Sequence, residues 1–328
     1  MTLHMTLFFF LTLVARLVLA KTAARLIVFK RAASGSTWFA DLLRHESWCG
    51  HFVSEANTCP HIKNSSQELL TWMTETLVGN FTPLSRKPKC DATKLDWQDK
   101  DKMIGFSIEP ESSFPVITWA SYGTLLALPR TWAVFYVRTN LVKHFVAKEH
   151  KRQSFNTICG TSKSFRAEAR DCIQQNGIDK ERFAVNATIL VRGTYGIAES
   201  YARSLATIKG LARLHTPVVV TYEALLLDPG TVLRGLAEIV GIRALSFDTL
   251  DSPSIKITSD DLRDSISNFD ELHSALRGKH RHPQLSQQLR ETTPIAHTEV
   301  CLFRHIDRHH LSDKSTPQSE CDSFTIGE

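Results

Sequence analysis

Four short, almost wholly apolar runs constrain this chain most: residues 26–29 (LIVF), 103–108 (MIGFSI), 132–137 (WAVFYV) and 218–222 (VVVTY). A run of strand length with no polar alternation is buried on both faces, which is the habit of parallel sheets. Parallel neighbours need a crossover of a dozen or more residues, and each run is separated from the next by at least that much chain. The predicted fold class is therefore α/β, a parallel sheet flanked by helices. At 328 residues and 42% hydrophobic, the chain can bury one large core, so one domain with a tail is the simplest organisation.

Helices are legible in three places. Trp38, Phe39, Leu42 and Leu43 follow the first run at helical spacing. Asp228-Pro229 is an N-cap with proline at the first position, and it opens a helix carrying Val232, Leu233, Leu236, Ile239 and Val240 on one stripe and stopping at Gly241. A further helix is predicted from about Ser259, burying Leu262, Ile266, Phe269 and Leu276. Beyond Gly278 the pattern dissolves, and residues 279–328, polar and rich in histidine (His280, His282, His305, His309, His310), read as a loosely ordered tail. Metal binding by these histidines is the alternative to a solvated tail.

Residues 7–20 form an apolar run broken by Arg16 and shorter than the roughly 20 residues of a comfortable membrane span. Residues 1–20 read as a signal peptide ending at Val18-Leu19-Ala20, with a short signal anchor, and so membrane attachment, as the alternative. The sequons at Asn64, Asn80 and Asn186 agree with a luminal address. Seven cysteines without a C-x-x-C pair argue against zinc and for one or two disulfides, leaving at least one thiol unpaired. A formal charge of +5, spread along the chain, suits an anionic ligand and argues against nucleic acid as a partner.

Two segments carry the candidate chemistry. Residues 30–38 (KRAASGSTW) stand where the first strand hands over to a helix. Small residues there let the backbone close around an anion, helical N–H groups point at it, and the hydroxyls of Ser34, Ser36 and Thr37 add donors. No full Walker A pattern is present, which disfavours a nucleoside-triphosphate kinase; an ordinary strand-to-helix turn is the plainer alternative. Residues 135–152 (FYVRTNLVKHFVAKEHKR) carry a buried strand into Arg138 and a cation-rich helix, and arginine is suited to clamping a phosphate. The plainer alternative here is an arginine paired with a carboxylate.

In order along the chain, these segments resemble the sulfotransferase family. Residues 30–38 look like its 5′-phosphosulfate loop and residues 137–147 like its 3′-phosphate strand and helix. Residues 218–242 resemble its late strand with Y-E-x-L, D-P and closing glycine, and residues 256–276 the final helix of carbohydrate-type and algal or protist members. The resemblance implies a P-loop NTPase-like sulfotransferase fold over residues 21–278. It implies transfer of a sulfuryl group from 3′-phosphoadenylyl sulfate (PAPS), as co-substrate and without metal, to a hydroxyl acceptor, favoured as a carbohydrate, in the Golgi lumen or as a secreted protein. It implies donor contacts from Arg31, Ser34, Gly35, Ser36, Thr37, Trp38, Arg138 and Lys143. Catalysis would fall to Arg31 beside the leaving phosphate and to Glu55 as base, chosen from Glu46, His51 and Glu55.

Two positions depart from the family pattern: Ala33 replaces the cation before S-G, and the serine expected near Val146 or Ala147 is missing. Arg31 is the candidate substitute at the first, and Arg138, Lys143 or Ser154 at the second. The departures motivate a catalytically silent nucleotide- or glycan-binding relative as the rival. A luminal glycosyltransferase would need a D-x-D site after a strand, and Asp99-Lys100-Asp101 precedes its strand.

Overall fold

The computed structural model describes residues 23–44, 49–53, 65–78, 102–110, 117–159, 166–212, 214–242, 259–278, 282–293, 299–300 and 322–323. The predicted signal segment, the sequons at Asn64 and Asn80, Glu46 and Glu55 lie outside them.

Five strands form one sheet: β1 (Ala24–Phe29), β2 (Cys49–Val53), β3 (Met103–Ile108), β4 (Thr131–Val137) and β5 (Val218–Thr221). Their order is β2-β3-β1-β4-β5 and every pairing is parallel. The four strands expected from the apolar runs are all present, and β1, β3 and β4 are buried at every residue. The expected α/β class, a parallel sheet flanked by helices, is the observed one.

Alternate strand residues feed two cores. Ile27, Phe29, Phe106, Ile108, Phe135 and Val137 lie in one; Leu26, Val28, Met103, Val134, Tyr136 and Val220 lie in the other. Gly105 of β3 is required by close approach, since a Cβ there would stand 2.1 Å from the Leu26 carbonyl oxygen. The helices needed below are α1 (Ser36–Leu43), α2 (Ser66–Val78), α3 (Trp119–Leu126), α4 (Leu141–His150), α5 (Arg166–Asn176), α6 (Ala187–Leu211), α7 (Tyr222–Leu227), α8 (Pro229–Val240), α9 (Phe269–Arg277) and α10 (Pro283–Arg290). A π-helical turn, Lys151–Phe155, prolongs α4.

The predicted start and stop of this helix are both present: Asp228 Oδ1 accepts the Thr231 N–H at 2.9 Å, and Gly241 closes α8 at φ 71°. Its buried stripe is Leu233, Leu236, Ala237 and Val240, so Ile239 faces outward instead. The helix expected from Ser259 starts ten residues later. Leu262, Ile266, Phe269 and Leu276 are all buried, but residues 259–268 turn, and Phe183 and Ile266 form a parallel bridge. Within the expected tail, α10 packs Leu285 and Leu289 into the core. No helix among the described residues is long and apolar enough to cross a membrane.

Candidate anion-binding site

β1 is central, and the chain leaves it toward β2 and β3 on one side while β4 and β5 lie on the other. This is the topological switch point, where α/β sheets open a crevice at the carboxyl ends of their strands. The two segments singled out in the sequence, residues 30–38 and 135–152, contribute their strand-exit residues 30–36 and 138–140 side by side there, because β1 and β4 are paired up to Phe29 and Phe135.

The β1–α1 loop is sharply curved. Ala33 (φ 61°) and Gly35 (φ 84°) both take the left-handed conformation, which is uncommon for alanine and costs about 1–2 kcal/mol. Such alternation makes a concave nest of N–H groups. The N–H groups of Gly35, Ser36 and Thr37 have no hydrogen-bond partner among the described residues, and no side chain caps α1. Ser34 is fully buried and its hydroxyl donates to the Arg31 carbonyl at 2.7 Å, so it shapes the loop rather than offering a proton to a ligand. Thr37 is exposed, and Arg31 and Trp38 are partly exposed. The Ala32 N–H donates to Glu109 Oε1 at 2.9 Å, and Glu109, Arg31 and Lys30 line a small cleft with Pro110, Phe135 and Ser204. Glu109 is a site residue the sequence reading missed; its only signal was its place directly after an apolar strand.

The exit of β4 presents donors without acceptors. Arg138 is 4% exposed, and its Nε has no hydrogen-bond partner; no carboxylate among the described residues pairs with it. Its guanidinium carbon sits 4.6 Å above the Tyr222 ring. That ring presses on the loop, since a Cβ on Gly35 would come within 2.5 Å of it, and Trp38 meets it edge-on at 5.9 Å. The Tyr136 hydroxyl and Thr139 Oγ1 are likewise buried without partners. Burial raises the Tyr136 phenol well above its ordinary value, so it stays an O–H donor. Buried polar groups are seldom left unpaired, so orphans on three neighbouring residues suit an anion at this point.

The N-terminus of α4, by contrast, is filled by the chain itself. The buried Glu223 carboxylate accepts the N–H groups of Thr139 at 2.9 Å and Asn140 at 3.0 Å. Gln288 of α10 accepts those of Leu141 and Val142 through one oxygen, and Asn140 Oδ1 accepts that of Lys143. Lys143 is buried in this first turn. Val146 is wholly buried in the core. Ser154 is thirteen residues beyond Leu141 on the same rod, roughly 20 Å away at 1.5 Å per residue, and does not reach Arg138. His51, one of the three candidate bases, lies on edge strand β2.

No family model matches the chain, and no curated protein matches it. Among solved structures the likeness is to a sulfotransferase. That protein, from Alicyclobacillus acidocaldarius, shares 15% identity with this chain; the match covers 81% of this chain and 95% of that one, with a TM-score of 0.36. So remote a likeness assigns no residue, and the site stands on its own geometry.

Proposed function

We propose that this chain transfers a sulfuryl group from PAPS to a hydroxyl acceptor, with a carbohydrate as the favoured class, in the secretory pathway. The observation that carries the reading is the convergence of the buried, unpaired Arg138 guanidinium, through Tyr222, on a loop whose N–H groups are open. A donor with phosphates on both the 3′ and the 5′ oxygens of one ribose needs two anion sites at a fixed separation, and a nest beside an orphaned arginine is of that kind. Gly35, Ser36 and Thr37 would hold the 5′ end with Arg31, Trp38 would border it, and Arg138, with Lys143 in the adjoining turn, would hold the 3′ end. The bound co-substrate supplies the sulfuryl group. The chain's own part is to place cations beside the leaving phosphate and to remove the acceptor proton, the role we give Glu55.

The secretory address is supported by a disulfide between Cys159 and Cys172, since such bonds persist in oxidising compartments. It is also supported by Asn186, which stands exposed at the N-cap of α6 within its sequon. The rival reading, a silent nucleotide- or glycan-binding relative, is favoured by the filled N-terminus of α4 and by Ser34 turning its proton inward.

Calorimetry with adenosine 3′,5′-bisphosphate tests the donor site. Binding without added metal is expected; no heat at millimolar nucleotide, or binding only with manganese, rejects it. Labelled PAPS offered with a panel of glycans and peptides then separates an enzyme from a silent relative, because the latter binds the donor and transfers nothing.

A further inference from the structure

Between the loop and the exit of β4 runs a buried chain of hydrogen bonds. His144 of α4 places Nε2 2.8 Å from the Ala32 carbonyl oxygen, and its Nδ1 lies 3.1 Å from the Tyr201 hydroxyl of α6. The same hydroxyl oxygen is 3.3 Å from the Arg138 backbone N–H. His144 and Tyr201 are each 1% exposed.

The direction of the chain follows from its ends. A carbonyl only accepts, so Nε2 carries the proton and donates to Ala32. Nδ1 is then the acceptor, Tyr201 must donate to it, and the phenol oxygen is left to receive the Arg138 N–H. Burial drives the His144 pKa down to about 3, against the favourable bond to Ala32 and with the positive charges of Arg138, Arg31 and Lys148 adding to the fall. The imidazole is therefore neutral at ordinary pH and keeps its accepting nitrogen. Burial likewise raises the Tyr201 pKa, so its proton stays in place.

Ala32 is held through both of its backbone polar groups, its N–H by Glu109 and its carbonyl by His144, so the two peptide planes immediately before the left-handed Ala33 are each anchored. We infer that His144 and Tyr201 are positioning residues of the donor site, fixing the curve of the β1–α1 loop in register with Arg138. The inference rests on the donor-site reading for its purpose, but the mechanical coupling it asserts can be measured without any ligand.

The test uses the full chain with His144→Leu, His144→Gln, Tyr201→Phe and the Leu/Phe double variant. Amide hydrogen exchange is followed without ligand in peptides spanning residues 30–37 and 137–140, and adenosine 3′,5′-bisphosphate binding is measured beside it. His144→Leu and Tyr201→Phe should each accelerate exchange in both segments by about tenfold and weaken nucleotide binding similarly, as expected for losing one buried hydrogen-bonded link. Glutamine, which carries both a donor and an acceptor, should stay within about threefold of wild type, and the double variant should be no worse than the poorer single one. Acceleration confined to the neighbourhood of the substituted residue, or additive losses in the double variant, would overturn the inference. If wild type binds no nucleotide while both segments still loosen, the donor reading fails and the coupling stands. Should the leucine variant not fold, Tyr201→Phe decides alone, because it removes one hydroxyl and keeps the ring.

Discussion

Arg138 carries a guanidinium that is 4% exposed and has an unpaired Nε, a state that a folded chain tolerates where a ligand completes it. Arg138→Ala is expected to weaken adenosine 3′,5′-bisphosphate binding by about 1.5–3 kcal/mol, the range for a hydrogen bond to a charged group. Lysine should restore only part, since it lacks the planar fork. Calorimetry checks both, and an unchanged affinity in the alanine variant makes the arginine structural. Two carboxylates separate by their contacts. Glu109 grips the loop through Ala32, so Glu109→Ala should change nucleotide affinity as well as transfer. Glu55→Gln, as loss of a base, should cost about 10²–10⁴-fold in transfer and leave nucleotide affinity unchanged. Full transfer by the Glu55 variant would move the role to Glu46, His51 or Glu109.

Two helix N-termini face the crevice, and they differ in what occupies them. α1 begins at a glycine with no side-chain cap, whereas the first turn of α4 is satisfied by Glu223, Gln288 and Asn140. A helix N-terminus attracts anions through its N–H groups only where these are open, so α1 offers backbone donors to a phosphate, whereas at α4 only side-chain cations are left to do so. Gln288 also makes α10 part of the site's support. Gln288→Ala should cost about 1–2 kcal/mol in denaturant unfolding, because two N–H groups lose their acceptor. It should also make stability more responsive to sulfate than in wild type. Unchanged stability and no added sulfate response would show that α10 merely rests on α4.

Over the whole molecule, the crevice and the disulfide stand at opposite ends of the α4 rod. Cys159 and Cys172, thirteen positions apart, close a small cluster with Phe155, Ile173 and Ile178. Replacing both with serine should cost about 2–3 kcal/mol and lower the melting temperature by about 4–10 °C. Nucleotide affinity should stay at the wild-type value, because the cluster contributes nothing to Arg138 or the β1–α1 loop. A fall in affinity matching the fall in stability would show that the far end of α4 sets the position of its first turn.

The sequence by itself determined the sheet class, four of its five strands, the capped helix α8 and the place of the strand-to-helix loop. Each depends on residues within a few positions of one another: an apolar run, an N-cap with proline, a cluster of small residues. It did not disclose β2, whose CGHFV has two buried apolar residues to mark it, nor α10, hidden in a polar stretch. Tertiary structure alone decided which helix terminus stays open, because the groups that fill α4 come from 84 and 147 residues away. It also decided that Ser34 turns inward, that Arg138 stands on Tyr222, and that His144 ties the loop to the strand exit across a separation of 112 residues. A hydrogen bond depends on atoms a few ångströms apart, and local patterning cannot say which distant residue folding will bring to that distance.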